Sequence, residues 1–296
     1  ATLRAIETAA CELIAEAGKI VLERHAALQV EFKGGNKSDP VTEIDRAVEA
    51  YLKGAVAERF PEHAVLGEEG TDPQGRNDFE WIVDPVDGTL NYVTRLPLYA
   101  VSVGVLFKRR PVVGAVLLPV TGETLHARHG GGAFRNGEPI RVRESVKGAF
   151  IAGLPVGYGA GFRASKQFRG TLGETRSLGS IAYEMGAVAA GSLDIAAFRG
   201  PKIWDVAGAA PIITEAGGRV LYYSKRRSAW LPLERFEAPP RAPLRAWNQP
   251  VLVGSAHAVA TVAPLIQPRY PPALLVAAAQ ATRAAKKGYL GQRALR

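Results

Sequence analysis

The sequence predicts a mixed fold of α-helices and β-strands, and three stretches carry that prediction. Apolar residues recur every three or four positions over 3–27, which is the spacing of an amphipathic helix. Apolar and polar residues alternate over 101–127, as they do in an antiparallel meander. From residue 149 onward, strand-like and helix-like segments follow one another, which is typical of α/β folds.

In the first half, two helices are expected before the first buried strand. The helix over 3–27 leads into a glycine-rich loop that ends at Pro40, and a second helix then runs from Thr42 to Arg59. A short strand begins at Ala64 and runs into two acids. The apolar stretch 81–83 indicates a buried strand that stops at the following aspartate, because the next residue is a proline without an amide hydrogen.

The meander and the second half are read from the same kinds of signal. Arg110-Pro111 and 120–122 are predicted to be turns of the meander, and Asn136-Gly137 is a hairpin signal. The stretch 225–250 is rich in proline and predicts an irregular surface excursion. The elements expected in the second half are strands at 150–151, 193–198, 219–223 and 251–254, and helices at 180–190, 205–216, 257–266 and beyond 272.

Composition narrows the classes of protein that fit. Of the 296 residues, 47% are hydrophobic and 22% are charged, which is ordinary for a globular chain. Cys11 is the single cysteine, so neither an internal disulfide nor a cysteine-based zinc site can form. Charged residues interrupt the first 18 positions, and no apolar run is long enough for a membrane span. We therefore expect a cytoplasmic protein that does not contact a membrane.

The net charge of +9 arises from 37 Lys and Arg against 28 Asp and Glu. The densest cluster is Lys225-Arg226-Arg227, and a second lies near the carboxyl-terminal end. The cations do not alternate with aromatic residues, so we interpret the excess as a means of solubility or of attracting anionic substrates, and we do not expect nucleic acid as a partner.

The segment 81–92 carries the strongest chemical signal. Asp84 and Asp87 lie three residues apart around a turn, and Thr89 follows where a short helix is expected to begin. Carboxylate oxygens beside a backbone carbonyl suit Mg²⁺, which is commonly shared with a substrate phosphate. The alternative is an ordinary Asp-Pro turn with Asp87 capping the helix. Asp45 likewise suits the first turn of a helix, and Glu68 suits a solvated turn.

Taken together, four segments resemble those of the inositol monophosphatase family, which are magnesium-dependent, lithium-sensitive phosphomonoesterases. The resemblance covers most of residues 1–265 in the same order. The matching segments are 81–92, 204–218, 67–69 and 41–45.

The resemblance implies a layered α-β-α-β-α sandwich of the inositol monophosphatase/fructose-1,6-bisphosphatase type. It also implies a first half over 1–148 that carries most metal ligands and a second half over 149–266 that carries Asp205. A basic helical tail is predicted over 267–296.

By the same resemblance, two to three Mg²⁺ ions bind per site. Glu68, Asp84 and the Val86 carbonyl would hold the first ion, and Asp84, Asp87 and Asp205 the second. Glu68 would also help to place a third ion.

The resemblance also implies that Thr89 and Asp45 orient a metal-activated water molecule and that Glu68 takes part in catalysis. The residues implied in substrate binding are Asp87, Gly88, Thr89, Gly179, Ser180, Phe198, Arg199 and Asp205. Phe198 takes the position where inositol-preferring members have a glutamate, and it cannot accept hydrogen bonds from hydroxyl groups. Arg199 or Lys202 could bind a second anionic group, or could be solvated surface charge. Lys33 or Lys37 could approach the third ion or the phosphate.

We therefore predict a phosphoric monoester hydrolase that acts on inositol monophosphate or a related sugar or polyol phosphate. Fructose 1,6-bisphosphate and nucleotide or histidinol phosphates are the alternative substrates. The family is commonly dimeric, so we expect a homodimer. A use of the fold in RNA or ribonucleoprotein binding is the non-enzymatic alternative, and it depends on the net positive charge.

Overall fold

The structure is a computed structural model, and its described residues form two large β-sheets and three layers of helices. It describes residues 2–23, 30–32, 40–68, 70, 77–144, 150–155, 161–238 and 242–270. The predicted tail beyond residue 270, Lys33 and Lys37 lie outside the described residues. The described α-helices are α1 (Leu3–Glu23), α2 (Glu43–Arg59), α3 (Thr89–Val93), α4 (Lys166–Thr171), α5 (Ile181–Ala189), α6 (Ile203–Ala207), α7 (Ala209–Glu215) and α8 (Ala256–Val262).

The first sheet has seven strands in the order β3-β4-β5-β6-β7-β8-β9. Strands β3 and β4 are parallel, and the remaining neighbours are antiparallel. The predicted meander is therefore present. The strands are β3 (Ala64–Gly67), β4 (Phe79–Asp87), β5 (Ala100–Phe107), β6 (Arg110–Leu118), β7 (Glu123–Arg128), β8 (Ala133–Arg135) and β9 (Glu138–Pro139).

The second sheet has six strands in the order β12-β10-β13-β16-β14-β15. Strand β10 is parallel to β12 and β13, and the other neighbours are antiparallel. Two small antiparallel pairs complete the described strands. These strands are β1 (Val30–Phe32), β2 (Pro40–Thr42), β10 (Phe150–Gly153), β11 (Phe162–Ala164), β12 (Leu172–Arg176), β13 (Ile195–Phe198), β14 (Arg219–Ser224), β15 (Ala229–Pro232), β16 (Val251–Gly254) and β17 (Ile266–Pro268).

The sequence predicted that strand β4 ends at Asp84, but the strand continues to Asp87. The pairing with β5 shifts register between Asp84 and Asp87. Pro85 lies inside this irregularity, where a missing amide hydrogen breaks no regular ladder bond. The bulge replaces the expected turn and carries both aspartates to one end of the strand.

The turn predicted at Arg110-Pro111 is also wrong, because both residues belong to β6. The chain reverses one step earlier, at Lys108 and Arg109, whose φ angles are 50° and 68°. Two consecutive left-handed residues match the twist of a two-residue hairpin.

The irregular excursion predicted over 225–250 is only partly correct. This stretch contains β15, and it buries Phe236 and Trp247, whose rings meet edge to face at 4.9 Å. Both rings belong to the central apolar cluster, which attaches the excursion to the body of the protein.

Three apolar clusters define the layers. Helices α1 and α2 pack on the outer face of the first sheet. Helices α5, α6 and α7 lie between the sheets, and α8 covers the far face of the second sheet. The predicted α-β-α-β-α sandwich is confirmed.

Glycines allow the middle helices to approach the first sheet closely. A Cβ atom at Gly104 would overlap the backbone of Ala207, and one at Gly114 would overlap that of Gly208. The chain breaks its helix at Gly208, where one helix was predicted over 205–216. This approach holds the end of α6 against β5, which pairs with the strand that carries the two aspartates.

The sheets fall on either side of residue 148, but the largest apolar cluster contains residues from both halves. The division into halves remains a prediction. None of the helices that the structure describes is long and apolar enough to cross a membrane.

Candidate metal centre

Three carboxylates meet between the two sheets. Asp84 and Asp87 come from the end of β4, and Asp205 comes from the first turn of α6. One oxygen from each lies within 4.8 Å of the other two. The backbone amide of Lys202 donates to Asp205 Oδ2 at 2.8 Å, which fixes that side chain at the start of its helix.

Asp84 is the most buried of the three carboxylates. It is 1% exposed, and its Oδ1 has no hydrogen-bond partner among the described residues. Burial raises the pKa of Asp84 well above its usual range, and the charges of Glu68, Asp87 and Asp205 raise it further. A buried oxygen without a partner, surrounded by like charges, is the environment that a divalent cation would stabilise. The donor set therefore fits Mg²⁺.

Asp87 connects the two halves of the chain. The Ser180 hydroxyl donates to its Oδ2, and the amide of Ala182 donates to the same oxygen at 2.6 Å. Burial raises the pKa of Asp87 to about 6, although these hydrogen bonds oppose the rise. Because both donors point to Oδ2, the other oxygen can serve a cation.

Thr89 lies beside two acceptors. Its hydroxyl is 3.0 Å from the Val86 carbonyl and 3.4 Å from Asp45 Oδ1. Asp45 is 1% exposed in the first turn of α2. The single hydroxyl proton of Thr89 can serve one of these oxygens at a time, and the shorter distance favours the carbonyl.

Glu68 follows β3 and lies outside the group of three carboxylates, yet its charge raises the pKa of both Asp84 and Asp205. The backbone around it is held by Arg245, whose guanidinium donates to the carbonyls of Gly67, Glu68 and Gly70. Sequence reasoning missed Arg245, because no local pattern marks it.

Two glycines make the backbone contact beside Asp87. Gly88 has a φ of 89°, and a Cβ there would lie 2.9 Å from the Cβ of Ser180. Gly179 has a φ of 82° and lies against Asn91, which donates to the carbonyls of Leu98 and Leu178 at 2.6 Å. Residues of the two halves that are predicted to bind substrate are thus adjacent.

Sequence reasoning also missed Glu184, a buried acid whose pKa is influenced by the charge of Asp87. It is 5% exposed and accepts the amide of Leu178 at 2.7 Å. Burial raises its pKa to about 7, and the charge of Asp87 contributes to the rise. A lone glutamate among apolar residues of α5 was the available signal.

The pattern of one family, described as the inositol monophosphatase family, matches residues 2–263. The chain belongs to the inositol monophosphatase family. An inositol monophosphatase of Dictyostelium discoideum is 34% identical over 72% of this chain and 82% of its own length. A fructose-1,6-bisphosphatase/inositol-1-monophosphatase of Thermotoga maritima is 36% identical over 67% of this chain and 77% of its own length. The solved structure of an inositol monophosphatase from Thermotoga maritima superposes with a TM-score of 0.69 at 29% identity, over 86% of this chain and 93% of that one.

Membership of the inositol monophosphatase family makes the chain a metal-dependent phosphatase, which confirms the predicted resemblance. The relatives' names include more than one substrate, so the comparisons leave the substrate open. The metal, catalytic and substrate roles assigned to individual residues remain predictions, as does the homodimer.

Where inositol-preferring members of the family are expected to have a glutamate, Phe198 is 6% exposed and belongs to the central apolar cluster. Arg199 and Lys202 follow it and are exposed. The aliphatic part of Arg199 passes Gly161, with 3.0 Å between its Cδ and a Cβ built on that glycine. Of these two cations, Lys202 lies close enough to Asp205 for its positive charge to oppose the rise in the pKa of that carboxyl.

Proposed function

We propose that this protein is a Mg²⁺-dependent phosphomonoesterase that releases inorganic phosphate from inositol monophosphate or a related sugar or polyol phosphate. The observation that carries the proposal is the group of Asp84, Asp87 and Asp205, with an unpartnered buried oxygen on Asp84. Such a group is costly without a cation and is well suited to one.

Asp84, Asp87 and Asp205 would hold Mg²⁺ together with Glu68 and the Val86 carbonyl. Bound there, Mg²⁺ would supply neutralisation of the phosphate charge and a lowered pKa for a nearby water molecule. The two hydrogen bonds to Asp87 Oδ2 keep its carboxylate in one orientation. The capping bond to Asp205 does the same for that side chain. The ligands are thus oriented before any cation arrives.

Thr89 and Asp45 would position the attacking water. The Thr89 hydroxyl can accept a hydrogen bond from water while it donates to Val86 or to Asp45. Asp45 is buried beside it and can take up a proton as general base. The pair adds orientation and proton acceptance to the chemistry of the cation.

Phosphate would be received where Gly88 and Thr89 meet Gly179 and Ser180. The left-handed glycines allow the two backbone segments to approach without a side chain between them. A phosphate group here would lie directly beside the carboxylates.

Arg199 and Lys202 favour a second candidate substrate that carries another anionic group, such as fructose 1,6-bisphosphate. Both are exposed within a few residues of Asp205. A guanidinium can bind a phosphate through two parallel hydrogen bonds. The neutral ring of Phe198 offers no acceptor to a polyol.

The test is phosphate release from inositol 1-phosphate, fructose 1,6-bisphosphate, histidinol phosphate and an adenosine bisphosphate, with Mg²⁺, with EDTA and with added Li⁺. We expect turnover that needs Mg²⁺, is inhibited by Li⁺ and falls by about 10²-fold or more in Asp87→Asn. The variant Arg199→Gln should lower kcat/KM for the bisphosphate and leave inositol 1-phosphate unchanged. Normal turnover in EDTA, or in a folded Asp87→Asn variant, would contradict the metal assignment.

A further inference from the structure

A strongly basic cavity of about 840 Å³ lies between the β14–β15 hairpin and the excursion that follows it. We call it the basic cleft and define it by the four cations that line it, Lys225, Arg226, Arg227 and Arg235. The first three form the turn between the two strands, where the left-handed Ser228 completes the reversal. The cluster that composition analysis singled out thus surrounds a concave space.

The cations of the basic cleft are exposed, and none forms an ion pair with a carboxylate in the described part of the chain. Glu237 is the single acid among the described lining residues. Lys225 Nζ lies 4.9 Å from the ring centroid of Tyr270, which holds that side chain against an aromatic face. The field inside the cleft is therefore positive and largely uncompensated.

The walls of the basic cleft are partly apolar. Tyr222 is half-buried, and Trp247 is 1% exposed beneath the cleft. An apolar wall lowers the local dielectric constant and strengthens the attraction of an anion to the surrounding cations. A flat solvated surface would not provide this effect.

The basic cleft is separate from the candidate metal centre. None of Asp84, Asp87 and Asp205 belongs to its described lining. In the second sheet, Tyr222 pairs with Val251, and Val251 pairs with Phe198. Two strand spacings, about 10 Å, thus separate the cleft wall from the strand that leads to Asp205.

We propose that the basic cleft binds a small anion that carries several phosphate groups, of the size of an inorganic oligophosphate or a nucleoside triphosphate. Its volume is within the range of small-molecule sites, roughly 300–1,000 Å³. Three of its four cations are arginines, whose planar guanidinium groups bind phosphate oxygens in pairs. This binding site is independent of the phosphatase reaction.

The test is calorimetric titration of the full chain with tripolyphosphate and with ATP, at low salt and in EDTA so that no metal occupies the acidic centre. We expect binding that weakens by about tenfold or more in the double variant Arg226→Gln, Arg227→Gln. The matched control is Arg4→Gln, Arg163→Gln, which removes the same charge from exposed positions outside the cleft. Thermal melting checks that both variants are folded.

Three results would overturn the proposal. The first is the absence of binding by either probe to the wild-type chain. The second is an equal loss of affinity in the control variant, which would make the effect one of net charge alone. The third is tight, steeply salt-dependent binding of a single-stranded RNA 12-mer that the cleft variant abolishes and that tripolyphosphate does not displace. The ligand of the cleft would then be a nucleic-acid backbone.

Discussion

Asp87→Asn should change how stability depends on pH, and the structure sets the size of the change. Burial raises the pKa of Asp87 from 3.8 to about 6. One pKa unit corresponds to about 1.4 kcal/mol, so the folded state loses about 3 kcal/mol when this carboxyl ionises. Because its pKa is higher in the folded than in the unfolded state, the folded state binds more protons between about pH 4 and pH 6. The free energy of unfolding of the metal-free protein should therefore fall as pH rises through this window.

The assay is urea unfolding in EDTA at pH 4 and at pH 7.5. Asp87→Asn should reduce the fall in unfolding free energy by about 3 kcal/mol or more, since removing this charge also relieves Asp84 and Asp205. The amide oxygen can still accept from Ser180 and Ala182, so the variant should fold. Mg²⁺ at pH 7.5 should restore most of the lost stability in the wild type and much less in the variant.

Glu184→Gln is the matched control, because burial also raises the pKa of Glu184, from 4.5 to about 7. This acid contributes a fall of similar size, about 3 kcal/mol, between pH 4.5 and pH 7. It is not among the three grouped carboxylates, so Mg²⁺ should still restore the stability of this variant. An unchanged pH profile in Asp87→Asn, or equal stabilisation of wild type and Asp87→Asn by Mg²⁺, would refute the reasoning.

Three further predictions concern other parts of the chain. Arg245→Ala should weaken Mg²⁺ binding by about tenfold, measured by calorimetry, because it releases the backbone carbonyls of Gly67, Glu68 and Gly70. An unaltered affinity would show that this backbone is held without Arg245. Gly88→Ala should lower the free energy of unfolding, measured in urea, by about 2 kcal/mol or more, because Gly88 has a left-handed φ and its new Cβ would contact Ser180. Gly122→Ala, which has a left-handed φ but open space around it, should lower the same free energy by about 1 kcal/mol. Equal losses in the two variants would exclude the contribution of the Ser180 contact. Burial raises the pKa of Cys11 to about 12, so iodoacetamide at pH 8 should modify it far more slowly in folded than in urea-unfolded protein, and equal rates would contradict its burial.

The layered fold and the grouping of the carboxylates were predicted through the family resemblance, which compact sequence motifs carry. Asp84 and Asp87 are three residues apart, and the motif around Asp205 has a recognisable place in the family. The path between the two aspartates was not predictable, because Pro85 is compatible with either a turn or a bulge. The pairing with β5 decides in favour of the bulge, and that pairing is a tertiary contact.

Arg245 and Glu184 could not be assigned from the sequence for a related reason. The contact of Arg245 with Gly70 joins positions 175 residues apart, and its neighbours carry no motif. Glu184 occupies an ordinary helical position, and its raised pKa depends on the burial that the folded chain imposes. For Phe198, alignment with the family predicted which position the residue occupies in the sequence. It did not predict that the ring would lie in the central apolar cluster.

Three contacts join the two predicted halves of the chain at the candidate site. Ser180 donates to Asp87, Asn91 donates to the carbonyl of Leu178, and Arg245 holds the segment around Glu68. Each contact joins a residue before the predicted boundary at 148 to one after it. A displacement between the halves would therefore misplace the carboxylates, the backbone that we propose receives phosphate, and Glu68 at the same time. The two sheets can be described separately, but the proposed chemistry requires residues from both halves, and Gly104 and Gly114 allow the middle helices to lie close against the first sheet.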